Sequence, residues 1–212
     1  GVSKDGKFAA LGTKGMVIVW PVSRLGDMEG KDSTELICSV EPNAHGDARV
    51  FEICFHPKEN LVVSCGSDKR IGVWRYDPSG GKTTRLKEVV RKSFDAMPLS
   101  AVFHPDGKHI IAFFSDGKLS LLEYGPSVLK EVKTMKFVEP KERCHLELTP
   151  DGRAVLCAVP DGGVYVVDVA AWLVVGRLAT EYKVSGTWAL SPDGKMLAVA
   201  LKGKDIKVYK LK

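Results

Sequence analysis

Cysteine is scarce and shows no pairing pattern. The 212 residues hold Cys38, Cys54, Cys65, Cys144 and Cys157, an odd number, with no Cys-x-x-Cys. Most lie in apolar runs. This argues against a disulfide-framed secreted scaffold and predicts a reduced intracellular protein, cytoplasmic or nuclear, with buried thiols. Long hydrophobic runs are also missing. The longest, Val164 to Gly176, is broken by Asp168 and is shorter than the ~20 residues a helix needs to span a bilayer, so no membrane insertion is expected from this segment. No stretch repeats its apolar residues with a helical period, and no signal-peptide pattern is visible. Charge imbalance is slight: 31 Lys and Arg against 26 Asp and Glu, net +5, which permits acidic partners without demanding them. An initiator Met is lacking, and Gly1 stands in the middle of a pattern.

What is present is valine and punctuation. There are 26 Val, a strand-favouring excess. Gly and Pro number 21 and 11, too few for a low-complexity chain but enough for many tight turns. One turn recurs five times: Ser3-Lys4-Asp5-Gly6, His56-Pro57-Lys58-Glu59, His104-Pro105-Asp106-Gly107, Thr149-Pro150-Asp151-Gly152 and Ser191-Pro192-Asp193-Gly194. The four prolines lie 48, 45 and 42 residues apart. Each turn is followed by a β-rich run: Phe8–Gly12, Leu61–Gly66, His109–Phe114, Ala154–Val159 and Met196–Leu201. A second short turn leads to Met16–Trp20, Ile71–Tyr76, Leu119–Tyr124, Val164–Val169 and Ile206–Leu211, and looser runs follow at Leu36–Val40, Arg85–Val90, Leu129–Met135 and Leu173–Leu178. Four short antiparallel strands per unit, repeating every 40–45 residues or so, is the pattern of a propeller blade. The units run approximately over 1–44, 45–93, 94–139, 140–180 and 181–212, as a single all-β domain.

The second unit carries the most specific residues. His45 precedes its first strand, Ser64 lies in its second, Asp68 in the next turn and Trp74 in its third. Here the chain resembles the WD40-repeat β-propellers, over essentially its whole length. The resemblance implies that His45, Ser64, Asp68 and Trp74 form a structural tetrad hydrogen-bonded in series, and a buried indole N–H does need an acceptor. Other units depart from the pattern. Ala10 and Lys14 stand where Ser and Asp would fall in the first, Ala112 and Leu122 replace Ser and Trp in the third, and Cys157 and Val167 do so in the fourth. The fifth has Val199, Gly203 and Tyr209. The first unit lacks a first strand and the last a fourth. The family usually closes with seven or eight blades, so the 212 residues are expected to be part of a ring completed by further blades of the same or another chain.

Three chemical motifs dissolve on inspection. Ser64, His45 and Asp68 are the types of a nucleophilic triad, but the tetrad accounts for all three. Gly80-Gly81-Lys82-Thr83 lacks the earlier Gly of a phosphate loop, whose place is taken by Tyr76. Cys144-His145-Leu146-Glu147 lacks the Pro-Cys-x-x-Cys that a zinc deaminase requires. No His, Cys or carboxylate group shows metal-site spacing, so neither metal nor cofactor is expected.

The resemblance implies protein or peptide recognition, on the face carrying the loops that enter first strands and join second to third strands. Candidates there are Arg49, Phe51, Ser67 and Lys69; Met97, Leu99 and Ser115; Arg143 with Pro160; and Tyr182 with Lys183. A non-catalytic scaffold within a multi-protein assembly is the leading expectation. One alternative is an RNA-associated propeller using the basic runs Lys82–Lys92 and Lys202–Lys212, although aromatic platforms are missing from both. The other is the propeller domain of a larger enzyme. The insert Pro21–Glu35 would be a loop on the opposite face.

Overall fold

The computed structural model describes residues 1–23, 39–80, 84–136, 145–159, 163–179, 184–201 and 206–210. They form eighteen strands in five antiparallel sheets. Unit 1 contains β1 (Phe8–Gly12), β2 (Val17–Pro21) and β3 (Ser39–Glu41). Unit 2 contains β4 (Val50–Phe55), β5 (Leu61–Gly66), β6 (Arg70–Arg75) and β7 (Lys87–Ser93). Unit 3 contains β8 (Pro98–Phe103), β9 (His109–Phe114), β10 (Lys118–Gly125) and β11 (Val128–Lys136). Unit 4 contains β12 (His145–Leu148), β13 (Ala154–Val159), β14 (Gly163–Asp168) and β15 (Leu173–Ala179). Unit 5 contains β16 (Val184–Leu190), β17 (Met196–Leu201) and β18 (Ile206–Lys210). In every sheet the strands lie side by side in chain order. At the inner edge of β1, Gly1 and Val2 begin a ladder: Val2 bridges Ala9, and Gly1 exchanges both backbone bonds with Ala10 at 2.8 and 3.0 Å. Unit 1 thus has two residues of the inner strand that sequence reading leaves out.

Side-chain alternation makes the stack. In β5, Leu61, Val63 and Cys65 face unit 3, while Val62 and Ser64 face unit 1. In β9, Ile110, Ala112 and Phe114 meet unit 2, and Ile111 and Phe113 meet unit 4. In β13, Val155 and Cys157 turn to unit 3, Leu156 and Ala158 to unit 5. These strands read as continuous apolar runs because both of their faces are covered. Four cores, one between each pair of neighbours, join the five units. No blade could bury its faces alone.

Bulges fall at matching places. The first strand slips at Phe51 in unit 2 and at Leu99 in unit 3. The pairing of third with fourth strand slips between Val73 and Trp74, Leu121 and Leu122, and Val166 and Val167. Such insertions increase the right-handed twist that a blade needs.

The recurrent turn is built by its own side chains. Ser3, Thr149 and Ser191 hydroxyls donate to Asp5, Asp151 and Asp193 at 2.7, 2.6 and 2.5 Å. The same carboxylates accept the N–H two residues on, from Lys7, Arg153 and Lys195. Those bonds, the hydroxyl first, hold all three carboxyls below the ordinary aspartate range. The Gly that follows takes φ of 70 to 75° at Gly6, Gly107, Gly152 and Gly194, a region costly for residues with a Cβ.

Register corrects one alignment. β1 pairs with β2 so that Ala10 lies opposite Val19, whereas Ser64 lies opposite Gly72, two residues before Trp74. Matching Trp20 to Trp74 therefore places Leu11, not Ala10, at the serine position. The connection from Leu11 to Trp20 is one residue shorter than that from Ser64 to Trp74, which spacing counted from the tryptophan does not reveal.

Candidate functional site

The four residues singled out in unit 2 form one hydrogen-bonded chain. Trp74 Nε1–H donates to Ser64 Oγ at 2.8 Å, Ser64 Oγ lies 2.8 Å from His45 Nε2, and His45 Nδ1 lies 2.8 Å from Asp68 Oδ1. The indole can only donate, so the Ser64 hydroxyl donates onward to Nε2, and Nδ1–H donates to the carboxylate. Asp68 Oδ1 also accepts the Arg70 N–H at 3.2 Å. Ser64 is wholly buried and engaged on both sides. Its oxygen is not presented to a substrate, which removes the triad reading on geometric grounds.

Around this chain lies the upper face. Arg49 and Lys69 are exposed. Lys69 holds φ of 64°, and its carbonyl accepts the Phe94 N–H at 2.9 Å. Ser67 and Ser115 play the same part in successive units. Each hydroxyl accepts the N–H of the residue entering the first strand, Arg49 at 2.9 Å and Met97 at 3.1 Å. The carbonyls of Arg49 and Met97 accept in return from Ser67 N–H at 2.9 Å and Ser115 N–H at 2.8 Å. These serines are clips that fix the face. Phe51 and Leu99, the bulged residues, are half-buried and pack into the cores between units 2 and 3 and between units 3 and 4. Met97 is half-buried. A cleft of about 470 Å³ lies beside Arg49, between Thr13, Lys14 and Asp47. Arg143, Pro160, Tyr182 and Lys183 lie outside the described residues.

The inner strands line a central cavity of about 500 Å³, to which every unit contributes: Gly1, Glu52, Phe103, Glu147 and Trp188 are among its walls. Its polar groups run from unit to unit. Glu52 accepts a short hydrogen bond from the Ser100 hydroxyl and pairs with His145 Nδ1 at 3.0 Å. Ser100 Oγ accepts the Leu146 N–H at 3.0 Å, and Glu147 accepts the Leu190 N–H at 3.1 Å. Burial alone would lower the His145 imidazole, but the bond and charge of Glu52, with Glu147, outweigh it and raise its pKa. Burial raises the Glu147 carboxyl. The register of neighbouring units makes this relay, so the sequence offers no local signal for it. The one hint is His145 and Glu147 at strand spacing, which put both on one side of β12.

The lower face is tied by histidines. His56 Nε2 donates to the Gly107 carbonyl and His104 Nε2 to the Gly152 carbonyl, each at 3.0 Å. Every donor reaches the turn of the next unit. Tyr124 O–H adds a bond to Gly107 O at 3.0 Å, and burial pushes its pKa up to about 12. Among the described residues, His104, Asp106 and His109 also bring three potential ligand atoms within 4.8 Å of one another, a grouping that spacing rules for metal ligands do not flag.

The basic runs are partly committed to structure. Arg91 donates to the Ala44 carbonyl at 3.3 Å, pairs with Glu88 at 3.2 Å and covers the Trp74 ring at 5.7 Å. Lys92 donates to the Leu129 carbonyl of unit 3 at 3.0 Å. Lys82, Lys202, Lys204 and Lys212 lie outside the described residues, as do positions 24–35 of the long insert. Burial raises the thiols of Cys54, to about 11, and of Cys65, so neither is a ready nucleophile.

Residues 36–75 match the family model described as WD domain, G-beta repeat. No curated protein matches the sequence. Among solved structures, the β-propeller domain of Cps50 (Swd1) from Myceliophteria thermophila is similar with a TM-score of 0.77 and 15% identity, covering 100% of this chain and 63% of that one. A protein from Lactobacillus plantarum gives 0.76 and 14%, covering 100% and 66%. The chain thus spans a little under two thirds of the length of these structures. The matched repeat, the hydrogen-bonded tetrad within it and the stacking of successive antiparallel blades give the chain a β-propeller fold with a WD40 repeat at residues 36–75.

Proposed function

We propose that the chain is a non-catalytic protein–protein interaction scaffold, a propeller subunit of a multi-protein assembly working in an intracellular compartment. The observation that carries this reading is the construction of the upper face. Exposed Arg49 and Lys69 and half-buried Met97 stand on loops clipped by Ser67 and Ser115 to a rigid stack. Loops whose backbone is held in this way bind with little ordering cost of their own, and Arg and Met are enriched at interfaces. The commitment of Arg91 and Lys92 to neighbouring units weighs against the RNA alternative. Replacing Arg49, Lys69 and Met97 together by Ala should abolish co-purification of the assembly with the tagged full-length protein while its melting temperature stays unchanged. Undiminished co-purification would refute the assignment of the face.

The ring itself extends, on this reading, to seven or eight blades. Unit 5 turns Met196, Ile206 and Val208 outward at 40%, 70% and 57% exposure on the side away from unit 4. Unit 1 turns out Leu11 at 50%, with half-buried Trp20, on the side away from unit 2. Both are sheet faces that elsewhere in this chain lie under a neighbouring blade, and further blades would cover them.

A further inference from the structure

We propose that His104, Asp106 and His109, at the lower face of unit 3, bind a divalent transition-metal ion of borderline softness, such as Zn²⁺. The ligand atoms are Nδ1 of His104, Oδ2 of Asp106 and Nδ1 of His109. Oδ2 lies 3.1 Å from the first nitrogen and 2.7 Å from the second. Ligands around one Zn²⁺, at bonds of about 2.0–2.2 Å, lie roughly 3.3 Å apart, so displacements of a few tenths of an ångström admit the ion. Two imidazoles and a carboxylate leave one or more positions open to water or a partner's side chain.

The remaining polar atoms of two of these groups are already held. His104 donates its Nε2–H to Gly152 O, which fixes the ring and turns the Nδ1 lone pair toward the site. A backbone carbonyl on the far nitrogen is the usual support of a metal-binding histidine. Asp106 Oδ1 accepts the N–H of Lys108 at 2.7 Å and of His109 at 3.1 Å, while Oδ2 faces the two imidazoles and accepts the His109 Nδ1–H at 2.7 Å, a proton that must move to Nε2 when the ion binds.

Electrostatics gives the second argument. A neutral imidazole has one N–H, and His104 spends it on Gly152. Its Nδ1 lone pair then faces the oxygen of an ionised carboxylate at 3.1 Å. The long bond from Asp106 N–H to that nitrogen, 3.3 Å, offsets little of the repulsion. A cation between them removes it. His56 is the internal contrast: it makes the same strut to the next unit, but its Nδ1 accepts the N–H groups of Lys58 at 3.1 Å and Glu59 at 2.7 Å. Among the described residues, the turn with Asp106 and His109 is the one that adds ligands to the strut. The nearby exposed Lys58 touches the Asp106 carbonyl at 3.5 Å, away from Oδ2, and can swing into solvent.

The test uses the full-length protein stripped with a chelator, titrated with Zn²⁺ against a chromophoric competitor and, separately, with Co²⁺ as a visible-absorption probe. One ion per chain is expected. Affinity should fall about tenfold or more in Asp106→Asn and in His109→Gln and remain unchanged in Asp151→Asn, the same turn position in unit 4. The Co²⁺ spectrum should disappear in the same two variants. Melting temperatures measured in chelator separate a lost ligand from a lost fold, and Asp106→Asn carries the test if His109→Gln is unstable. No uptake at millimolar Zn²⁺, or uptake unchanged in both variants, overturns the proposal.

Discussion

Two glycines with nearly the same backbone angle allow the contact between neighbouring blades to be weighed. Gly6 and Gly152 occupy the same position of the recurrent turn, with φ of 70° and 73°. Alanine at either site meets the left-handed penalty, roughly 1–2 kcal/mol. Their surroundings differ. A Cβ on Gly6 would meet nothing within 4 Å, whereas a Cβ on Gly152 would stand 2.7 Å from His104 Nε2 and 3.0 Å from Pro105 Cδ. The His104 ring must withdraw, and the bond from Nε2 to Gly152 O, 3.0 Å, is lost with it. That bond contributes about 0.5–1.5 kcal/mol, and forcing a side chain out of a packed site costs about 1–3 kcal/mol. Gly152→Ala should therefore destabilise by about 2–4 kcal/mol more than Gly6→Ala. Urea unfolding of the full-length protein in chelator, followed by circular dichroism, gives both values. Hydrogen exchange at amides of units 3 and 4 shows whether the loss is local. In His104→Ala, the Gly152→Ala change should cost clearly less than in the native background, because the obstructing ring is gone and only the contact with Pro105 Cδ remains. Equal costs for the two glycines in the native background, or an undiminished cost in the His104→Ala background, would refute the idea that the histidine strut couples the blades.

Two further predictions concern the polar interior. Ser64→Ala leaves the buried Trp74 N–H and His45 Nε2 without partners, at about 1–3 kcal/mol each, and should lower the urea midpoint strongly. Adding Trp74→Phe removes the orphaned donor, so the double variant should be more stable than the sum of the single changes predicts. In the channel, His145 and Glu147 both have folded-state pKa values raised above their ordinary 6.5 and 4.5. A raised value means stability that is complete below the unfolded-state pKa and lost as pH rises through the folded one. Stability should thus decline as pH climbs past 6.5, and Glu52→Gln, which removes the main cause of the His145 rise, should flatten that decline in urea midpoints measured across it.

The second strands were legible to the residue: β1, β5, β9, β13 and β17 have the limits read from the sequence. Each is bracketed by a Pro- or Gly-centred turn at one end and a polar turn at the other, and most are apolar throughout because both faces are buried. Fourth strands were less legible. Arg85–Val90 was expected where β7 runs Lys87–Ser93, because an outer strand continues through Arg91 and Lys92 by backbone pairing that their charge conceals. Phe51 and Leu99 are candidates for the binding face in the sequence, but the bulges that turn them into the stack are facts of register between two strands. The channel relay was hidden for a related reason. Glu52, Ser100 and His145 are each 45 or more residues from the next, and they meet only after three inner strands are placed side by side.

The uneven tetrad follows from the same packing. Trp74 demands more than an acceptor: a Cβ on Gly72 would lie 2.6–2.8 Å from its ring, so the indole needs a glycine beneath it as well as Ser64 in front. In unit 3 all three positions change together. Leu122 replaces the indole, Ala112 the serine and Ser120 the glycine, with the Ser120 hydroxyl donating to Glu131 at 2.8 Å. In unit 4 Val167, Cys157 and Tyr165 do so. Ala112, Leu122, Cys157 and Val167 are all buried in their cores. Removing donor and acceptor together is nearly neutral, while removing one strands the other. A blade can therefore keep the whole hydrogen-bonded chain or exchange it for apolar filling, but not keep half. Unit 1 marks the boundary of the rule. It has Trp20 with Leu11 at the serine position and Ile18 at the glycine position, and there Trp20 is half-buried, on the outward side of its sheet. An indole less deeply enclosed has less need of a fixed acceptor. In units 2, 3 and 4 the motif is kept or exchanged as a set, which is why these repeats differ so much in sequence, whereas unit 5 buries Trp188 with its Nε1 unpartnered among the described residues.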